Sequence, residues 1–136
     1  MERVFKRQLT ELENIFQFIG ESLSGQNDSR IVFSTNFVVE EIFTNMVKYN
    51  RTSHEDVTIG IEEKEGSLHI SFIDRGVDRF DPRESADVDT SLSAGERSVG
   101  GLGIYLVKKM AEQINYEYAD RTSKITVTLA MEKKNV

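Results

Sequence analysis

Apolar residues recur at helical spacing in three parts of the chain. Over residues 9–23 they repeat every three or four positions, which predicts an amphipathic helix, with Thr10 and Glu13 as its capping box. A second helix is predicted from residue 28 or 29 to about 48, and its broad apolar surface indicates that most of it is buried. A third is predicted from about 102 to 113.

Between these segments apolar and polar residues alternate, which is typical of strands. Strands are predicted near Val4 and over 57–62, 68–73, 116–118 and 125–129. Residues 63–67 are predicted to close a hairpin between the second and third strands.

Two segments lack any period. Residues 74–82 are turn-like, with Gly76 and the chain's one proline at their edges. From Arg83 to Val99 the composition is rich in Ser, Asp, Glu, Ala and Gly, and a loop of this length is usually functional or disordered. No repeat or linker divides the chain, so a single domain over 1–136 is expected.

Composition and charge narrow the range of functions. The 136 residues include 23 acidic and 17 basic side chains, for a net charge of -6, which disfavours electrostatic binding to nucleic acid or to an anionic membrane. The chain has no cysteine, so disulfides and thiolate chemistry are excluded, and its two histidines are isolated. No stretch of about 18 apolar residues is present, and a cytoplasmic protein is expected.

The glycine-rich run Gly100-Gly101-Leu102-Gly103 opens the third predicted helix and suggests a phosphate site. Glycine lets an anion approach the main chain, and a helix N-terminus offers unpaired amides. The run matches neither a Walker loop, since no Lys-Ser/Thr pair follows it, nor a dinucleotide fingerprint, since Leu106 replaces the third glycine. A packed turn without a ligand explains the run equally well.

A polar stripe crosses the second helix. Glu41, Asn45 and Lys48 are spaced to share one face of an otherwise apolar element, whereas Glu40 projects about 100° away. Glu41 is chemically suited to accept a proton from an attacking hydroxyl, and the Asn45 oxygen to bind a hard cation such as Mg²⁺. The alternative is a solvated helix face.

The tripeptide Asp74-Arg75-Gly76 ends the second hairpin strand. Asp and Gly are common in turns for conformational reasons alone. A carboxylate at a strand end is also able to accept a hydrogen bond from an exocyclic amine such as that of adenine. Taken in order, the helix with Glu-x-x-x-Asn, the hairpin, Asp-x-Gly, the irregular loop and the glycine-opened helix form a specific series.

This series resembles the ATP-binding fold shared by gyrase, heat-shock chaperones, histidine kinases and mismatch-repair ATPases. Within that superfamily the chain looks most like the small bacterial anti-sigma factor serine kinases. The local matches are Glu41-Ile42-Phe43-Thr44-Asn45, Asp74-Arg75-Gly76 with Phe80-Asp81-Pro82, and Glu96-Arg97-Ser98 ahead of the glycine-rich run. The resemblance implies an α/β (α+β) two-layer sandwich, in which a mixed, mostly antiparallel sheet is covered on one face by about three helices.

The resemblance also implies roles for individual residues. Glu41 would be the general base and Asn45 the Mg²⁺ ligand, while Asp74 would bind the adenine amine and Gly76 would give it room. Residues 83–99 would form a lid over the triphosphate. Further nucleotide contacts would come from Lys48, Gly100, Gly101, Leu102 and Gly103, and the γ-phosphate contact from Arg97.

By the same resemblance the chain is expected to be an Mg²⁺-ATP-dependent protein serine kinase and an anti-sigma factor. Its partners would be an anti-anti-sigma protein as substrate, a sigma factor, and a second copy of the chain in a homodimer formed through the first helix. That helix is equally suited to cover the sheet. The alternative from another class is a nucleotide-dependent binding module that switches partners without phosphate transfer.

Overall fold

Five strands form one antiparallel sheet that three helices cover. The computed structural model of the chain describes residues 1–50, 52–79, 81 and 99–131. The strands are β1 (Glu2–Phe5), β2 (Val57–Lys64), β3 (Ser67–Arg75), β4 (Gln113–Ala119) and β5 (Thr122–Ala130). The sheet order is β1-β2-β3-β5-β4, and each of its four neighbouring pairs is antiparallel.

The helices are α1 (Leu12–Ser22), α2 (Ser29–Tyr49) and α3 (Val99–Met110), with a 3-10 turn over Leu9–Glu11 ahead of α1. The core lies between helices and sheet, and its largest side chains are Phe18 of α1, Phe43 of α2 and Phe72 of β3, which are fully buried. This two-layer arrangement confirms the expected α+β fold class.

The start of α2 was predicted correctly from the sequence, whereas the cap of α1 was not. At α2 the predicted start is confirmed, because Asp28 accepts a hydrogen bond from the Arg30 amide at 2.9 Å and caps the helix. At α1 the predicted capping box is wrong. Thr10 lies inside the 3-10 turn, and no side chain caps Leu12, the first residue of α1.

The third helix begins and ends three residues earlier than predicted. It starts at Val99, and Gln113, the predicted last residue, begins β4 instead. The reason is the sheet, because the Glu112 amide donates to the Thr128 carbonyl at 2.8 Å and draws the chain onto β5. Residues 83–98 of the predicted lid lie outside the described residues.

The β2–β3 hairpin is tighter than predicted. The strands extend to Lys64 and from Ser67, and only Glu65 and Gly66 form the turn, with φ angles of 54° and 79°. None of the helices in the described part of the chain is long and apolar enough to cross a membrane.

Candidate functional site

The polar stripe of α2 is partly buried. The side chains of Glu41 and Asn45 are half-buried, whereas Glu40 and Lys48 are exposed. Helical geometry places Asn45 one turn beyond Glu41 on the same side of α2. The stripe therefore presents a carboxylate and an amide side by side at the helix surface.

Helix α3 packs directly against Glu41. A Cβ atom added at Gly103 would overlap the Glu41 carboxylate, so a side chain at this position excludes the observed conformation of Glu41. Gly103 lies in the second turn of α3, and its absent side chain allows α2 and α3 to approach. The contact joins two residues that the sequence separates by more than sixty positions.

The environment of Glu41 alters its acidity. Burial raises the pKa of Glu41 above its ordinary value, the neighbouring Glu40 carboxylate raises it further, and the Lys48 ammonium opposes both effects. No residue in the described ranges donates a hydrogen bond to this carboxylate, so its oxygens remain available to a proton. Once ionised, a carboxyl group with a raised pKa is a stronger base than an exposed glutamate.

The glycine-rich run forms the first turn of α3. Gly100, Gly101 and Leu102 follow Val99, the first residue of the helix. Amides of a first helical turn have no intrahelical acceptor and favour an anion. These amides lie one turn before Gly103, and so close to the Glu41 contact. Arg97 lies outside the described residues.

Asp74 lies beside the C-terminal end of α2, and it is buried rather than exposed in a turn. Strand β3 continues through Arg75, so Asp74 is a strand residue, and it is 1% exposed. Its Oδ1 forms an ion pair with the Arg7 guanidinium, and its Oδ2 accepts a hydrogen bond from Asn50 Nδ2 at 2.9 Å. Both carboxylate oxygens are thus engaged.

The Arg7 side chain is itself held by several elements. It donates to the Met46 carbonyl at 3.3 Å and to Ser53 Oγ at 3.2 Å, and its side chain is 7% exposed. Ser53 Oγ in turn donates to the Arg75 carbonyl at 2.6 Å. Among the described residues the buried Nε of Arg7 has no partner. The guanidinium therefore joins the segment after β1, the end of α2 and the end of β3.

Sequence reasoning missed both partners of Asp74. Arg7 stands in a short irregular segment without a motif, and Asn50 is the residue that follows α2. The one local signal was the position of Asn50 at a helix end, where asparagine is common. Arg7 and Asp74 are 67 residues apart in the chain, so no local sequence pattern predicts the pair.

A buried hydroxyl group faces Asp74 across the sheet. Ser123 of β5 is directly opposite Asp74 in the β3–β5 register and is 5% exposed. Side chains at such paired positions lie within contact range. No local sequence pattern distinguishes Ser123, because only the strand register brings it opposite Asp74.

The segment after β3 turns sharply and is secured by the β4–β5 hairpin. Gly76 has a φ of 70°, and a Cβ there would lie 3.2 Å from Ser53 Oγ, so glycine suits this position for both conformation and space. Arg121 donates to the Gly76 carbonyl at 3.2 Å and pairs with Asp78 at 2.7 Å. Tyr118 donates to the Val77 carbonyl at 2.8 Å.

The donor set suits a cation only together with a phosphate ligand. The described residues contain no group of three or more His, Cys, Asp or Glu side chains able to hold a metal. Mg²⁺ keeps several waters and is commonly bound through one or two protein oxygens plus substrate phosphates. The half-buried Asn45 amide, one helical turn beyond Glu41, offers one oxygen of the kind that this mode requires.

Comparison with known proteins gives a family match across nearly the whole chain. A model of the histidine kinase-like ATPase domain matches residues 5–130. The matched range includes Arg7, Glu41, Asn45, Asp74 and the glycine-rich run. No curated protein sequence matches the chain.

Two solved structures of similar fold are histidine kinases. The Acinetobacter baumannii histidine kinase AdeS is similar with a TM-score of 0.54 and 12% identity, over 98% of this chain and 68% of that chain. The histidine kinase domain of the blue-light activated histidine kinase from Erythrobacter litoralis EL346 is similar with a TM-score of 0.50 and 11% identity, over 90% of this chain and 60% of that one. At such identities the likeness establishes the fold alone.

Proposed function

The chain belongs to the histidine kinase-like ATPase domain family, and on that premise we propose that it is an ATP-dependent protein serine kinase that also acts as an anti-sigma factor. Its substrate would be a serine of an anti-anti-sigma protein. Phosphorylation would release that protein and leave the kinase free to hold a sigma factor. The resemblance of the motifs around Glu41, Asp74 and the glycine-rich run supports this assignment.

The observation that carries the proposal is the contact between Glu41 and Gly103. It places a carboxyl group of raised pKa beside the first turn of α3, where amides favour phosphate. Asp74 is joined through Asn50 to the C-terminal end of α2, about 14 Å along the helix from Glu41 at 1.5 Å per residue. That spacing suits a nucleoside triphosphate with its base at Asp74 and its γ-phosphate at α3.

The chemistry follows from these positions. The oxygen of a substrate serine attacks the γ-phosphorus, the bond to the β–γ bridging oxygen breaks, and ADP leaves. Glu41 accepts the proton of the serine hydroxyl as the new P–O bond forms. Mg²⁺, held by Asn45 and the phosphates, would neutralise charge on the triphosphate. Arg97 would stabilise the transferred group.

Transfer of label from γ-labelled ATP tests the proposal. The protein is incubated with Mg²⁺, labelled ATP and a purified anti-anti-sigma protein from the same genome. We expect acid-stable label on the substrate, because phosphoserine survives acid whereas phosphohistidine does not. Glu41→Gln should lower the transfer rate by about 10²-fold or more, while calorimetry shows that ATP still binds.

Glu40→Gln is the matched control, because Glu40 is the adjacent glutamate and is exposed. It should transfer phosphate at close to the wild-type rate. Binding of ATP without transfer to any anti-anti-sigma protein would favour the partner-switching module without phosphotransfer. Absence of ATP binding would overturn the nucleotide assignment itself.

A further inference from the structure

We propose that Arg7 is a positioning residue that sets the base selectivity of the nucleotide site through its ion pair with Asp74. The inference rests on the proposed function, in which Asp74 accepts a hydrogen bond from the amino group of adenine. Arg7 lies outside every motif of the sequence. Its proposed effect is on the recognition of one group of the ligand, the amino group of adenine.

Asp74 keeps hydrogen-bond acceptor directions that a ligand is able to use. A carboxylate has about four acceptor directions on its two oxygens. Arg7 uses one on Oδ1 and Asn50 uses one on Oδ2, so each oxygen keeps one direction. The two donors thereby determine which way the remaining directions point.

A base does not reach Asp74 directly in the observed structure. With 1% of its surface exposed, Asp74 meets a base only after neighbouring groups move. A carboxylate that lost its donors would turn to other partners during such movement, or hold its charge unpaired at a high cost. Donors that stay in place therefore preserve an acceptor for the incoming amino group.

Arg7 is held in place independently of Asp74. Its guanidinium also donates to the Met46 carbonyl and to Ser53 Oγ, which belong to two other segments. A side chain that merely occupied the base position until ATP arrived would not need these anchors. Arg7 is thus suited to remain in place when the site is filled.

The backbone around Arg7 is also secured. Phe5, two residues earlier, is buried and packs edge-on against Phe18 with ring centres 5.6 Å apart. The Lys6 amide donates to Glu11 Oε2 at 3.0 Å. The segment that carries Arg7 is therefore tied to the core on one side and to the 3-10 turn on the other.

The experiment compares two ligands that differ only in the amino group. ATP and purine riboside triphosphate, which lacks the 6-amino group, are titrated by calorimetry into wild type and Arg7→Met. Wild type should bind ATP about tenfold or more tightly than the analogue, as expected for a hydrogen bond to a charged group. In Arg7→Met the ratio should fall to within about threefold, with the analogue's affinity little changed.

This chemical double-mutant cycle separates positioning from structure alone. A merely structural Arg7 would weaken both ligands equally and leave the ratio unchanged, which would overturn the inference. An Arg7 that competes with the base would give tighter ATP binding and a larger ratio in Arg7→Met, which would overturn it as well. Arg3→Met, which removes an exposed arginine of the neighbouring strand β1, should retain the wild-type ratio.

Should Arg7→Met fail to fold, as judged by circular dichroism, Arg7→Lys decides the matter. Lysine keeps the charge but loses the planar, multiply donating group. Its ratio should fall at least threefold below that of wild type, and an unchanged ratio would contradict the proposal. If neither nucleotide binds wild type, the proposed function has failed; if both bind equally, only the present inference has.

Discussion

Two carboxylates near α2, Glu41 within the helix and Asp74 beside its C-terminal end, are held in opposite ways. Asp74 is almost fully buried and receives hydrogen bonds on both oxygens, from Arg7 and Asn50. Glu41 is half-buried and receives none from the described residues, and burial raises its pKa. One carboxylate is fixed as a hydrogen-bond acceptor, and the other is left available to take up a proton.

The difference teaches how their surroundings suit two carboxylates to different chemistry. Donors on a carboxylate stabilise its ionised form and fix its orientation, which suits recognition of an amino group. Burial without donors stabilises the neutral form and strengthens the conjugate base, which suits proton transfer. If the two environments were exchanged, neither carboxyl group would suit its purpose.

The largest effect is expected from removing the cation beside Asp74. Arg7→Met leaves a buried carboxylate without its ion-pair partner and should lower the free energy of unfolding by about 3–5 kcal/mol. Urea unfolding followed by circular dichroism measures this loss. A loss below about 1 kcal/mol would show that the two carboxylates are not held differently in solution.

Arg30→Met is the control for that measurement. Arg30 also pairs with an aspartate, Asp28, but at 3.6 Å and with 61% of its own side chain exposed. An exposed pair contributes little, so this variant should unfold within about 0.5 kcal/mol of wild type.

A smaller effect is expected at Glu41, where Gly103→Ala introduces a methyl group against the carboxylate. Glu41 must move, or α3 must shift, and either response offsets the gain in helix propensity. In a Glu41→Ala background the three carboxyl atoms nearest to the added Cβ are absent, and Gly103→Ala should stabilise by about 0.5–1 kcal/mol. The coupling between the two substitutions, measured by urea unfolding, should be about 1 kcal/mol.

Gly20→Ala supplies the reference for this cycle. Gly20 lies within α1, and an added Cβ there meets no atom within 4 Å. It should stabilise by about 0.5–1 kcal/mol in both backgrounds. Equal effects of Gly103→Ala with and without Glu41 would argue against the contact between α2 and α3.

The smallest effect concerns acidity. Because the pKa of Glu41 is raised on folding, the folded state binds more protons than the unfolded state between the two pKa values, and stability falls as pH rises through that window. Glu41→Gln avoids this loss. It should have a higher midpoint of thermal unfolding than wild type at pH 7, and the difference should vanish below the ordinary value of 4.5.

The exposed Glu63→Gln should show no comparable pH-dependent gain in the same thermal scans. A gain for Glu41→Gln that persists unchanged in acid would mean that packing, rather than protonation, sets the difference. The contrast between a paired and an unpaired carboxylate would then lose its electrostatic basis.

Much of the fold was predictable because its elements are long and strongly patterned. The periods of α2 and of the β2–β3 and β4–β5 hairpins located these elements to within two or three residues. The start of α1 and the end of α3 were not predictable, since a 3-10 turn replaced the expected cap and pairing with β5 ended the helix. Local propensity gives way to tertiary contacts at such boundaries.

The candidate site was predictable in part. The helical stripe of Glu41 and Asn45 and the position of Asp74 at the end of a strand followed from spacing and motif. The importance of Gly103 for Glu41, the position of Ser123 opposite Asp74, and the Arg7 pair did not. Each depends on two segments far apart in the chain meeting, which periodicity does not encode.

The sequence by itself determined the order of elements, the polar stripe on α2 and the glycines that open α3, because backbone preferences and hydrophobic period act over short distances. Only the tertiary structure decided which carboxylate is paired and which is not. That difference arises from packing, since the segment after β1 brings a guanidinium to Asp74 while α3 brings a bare glycine backbone to Glu41.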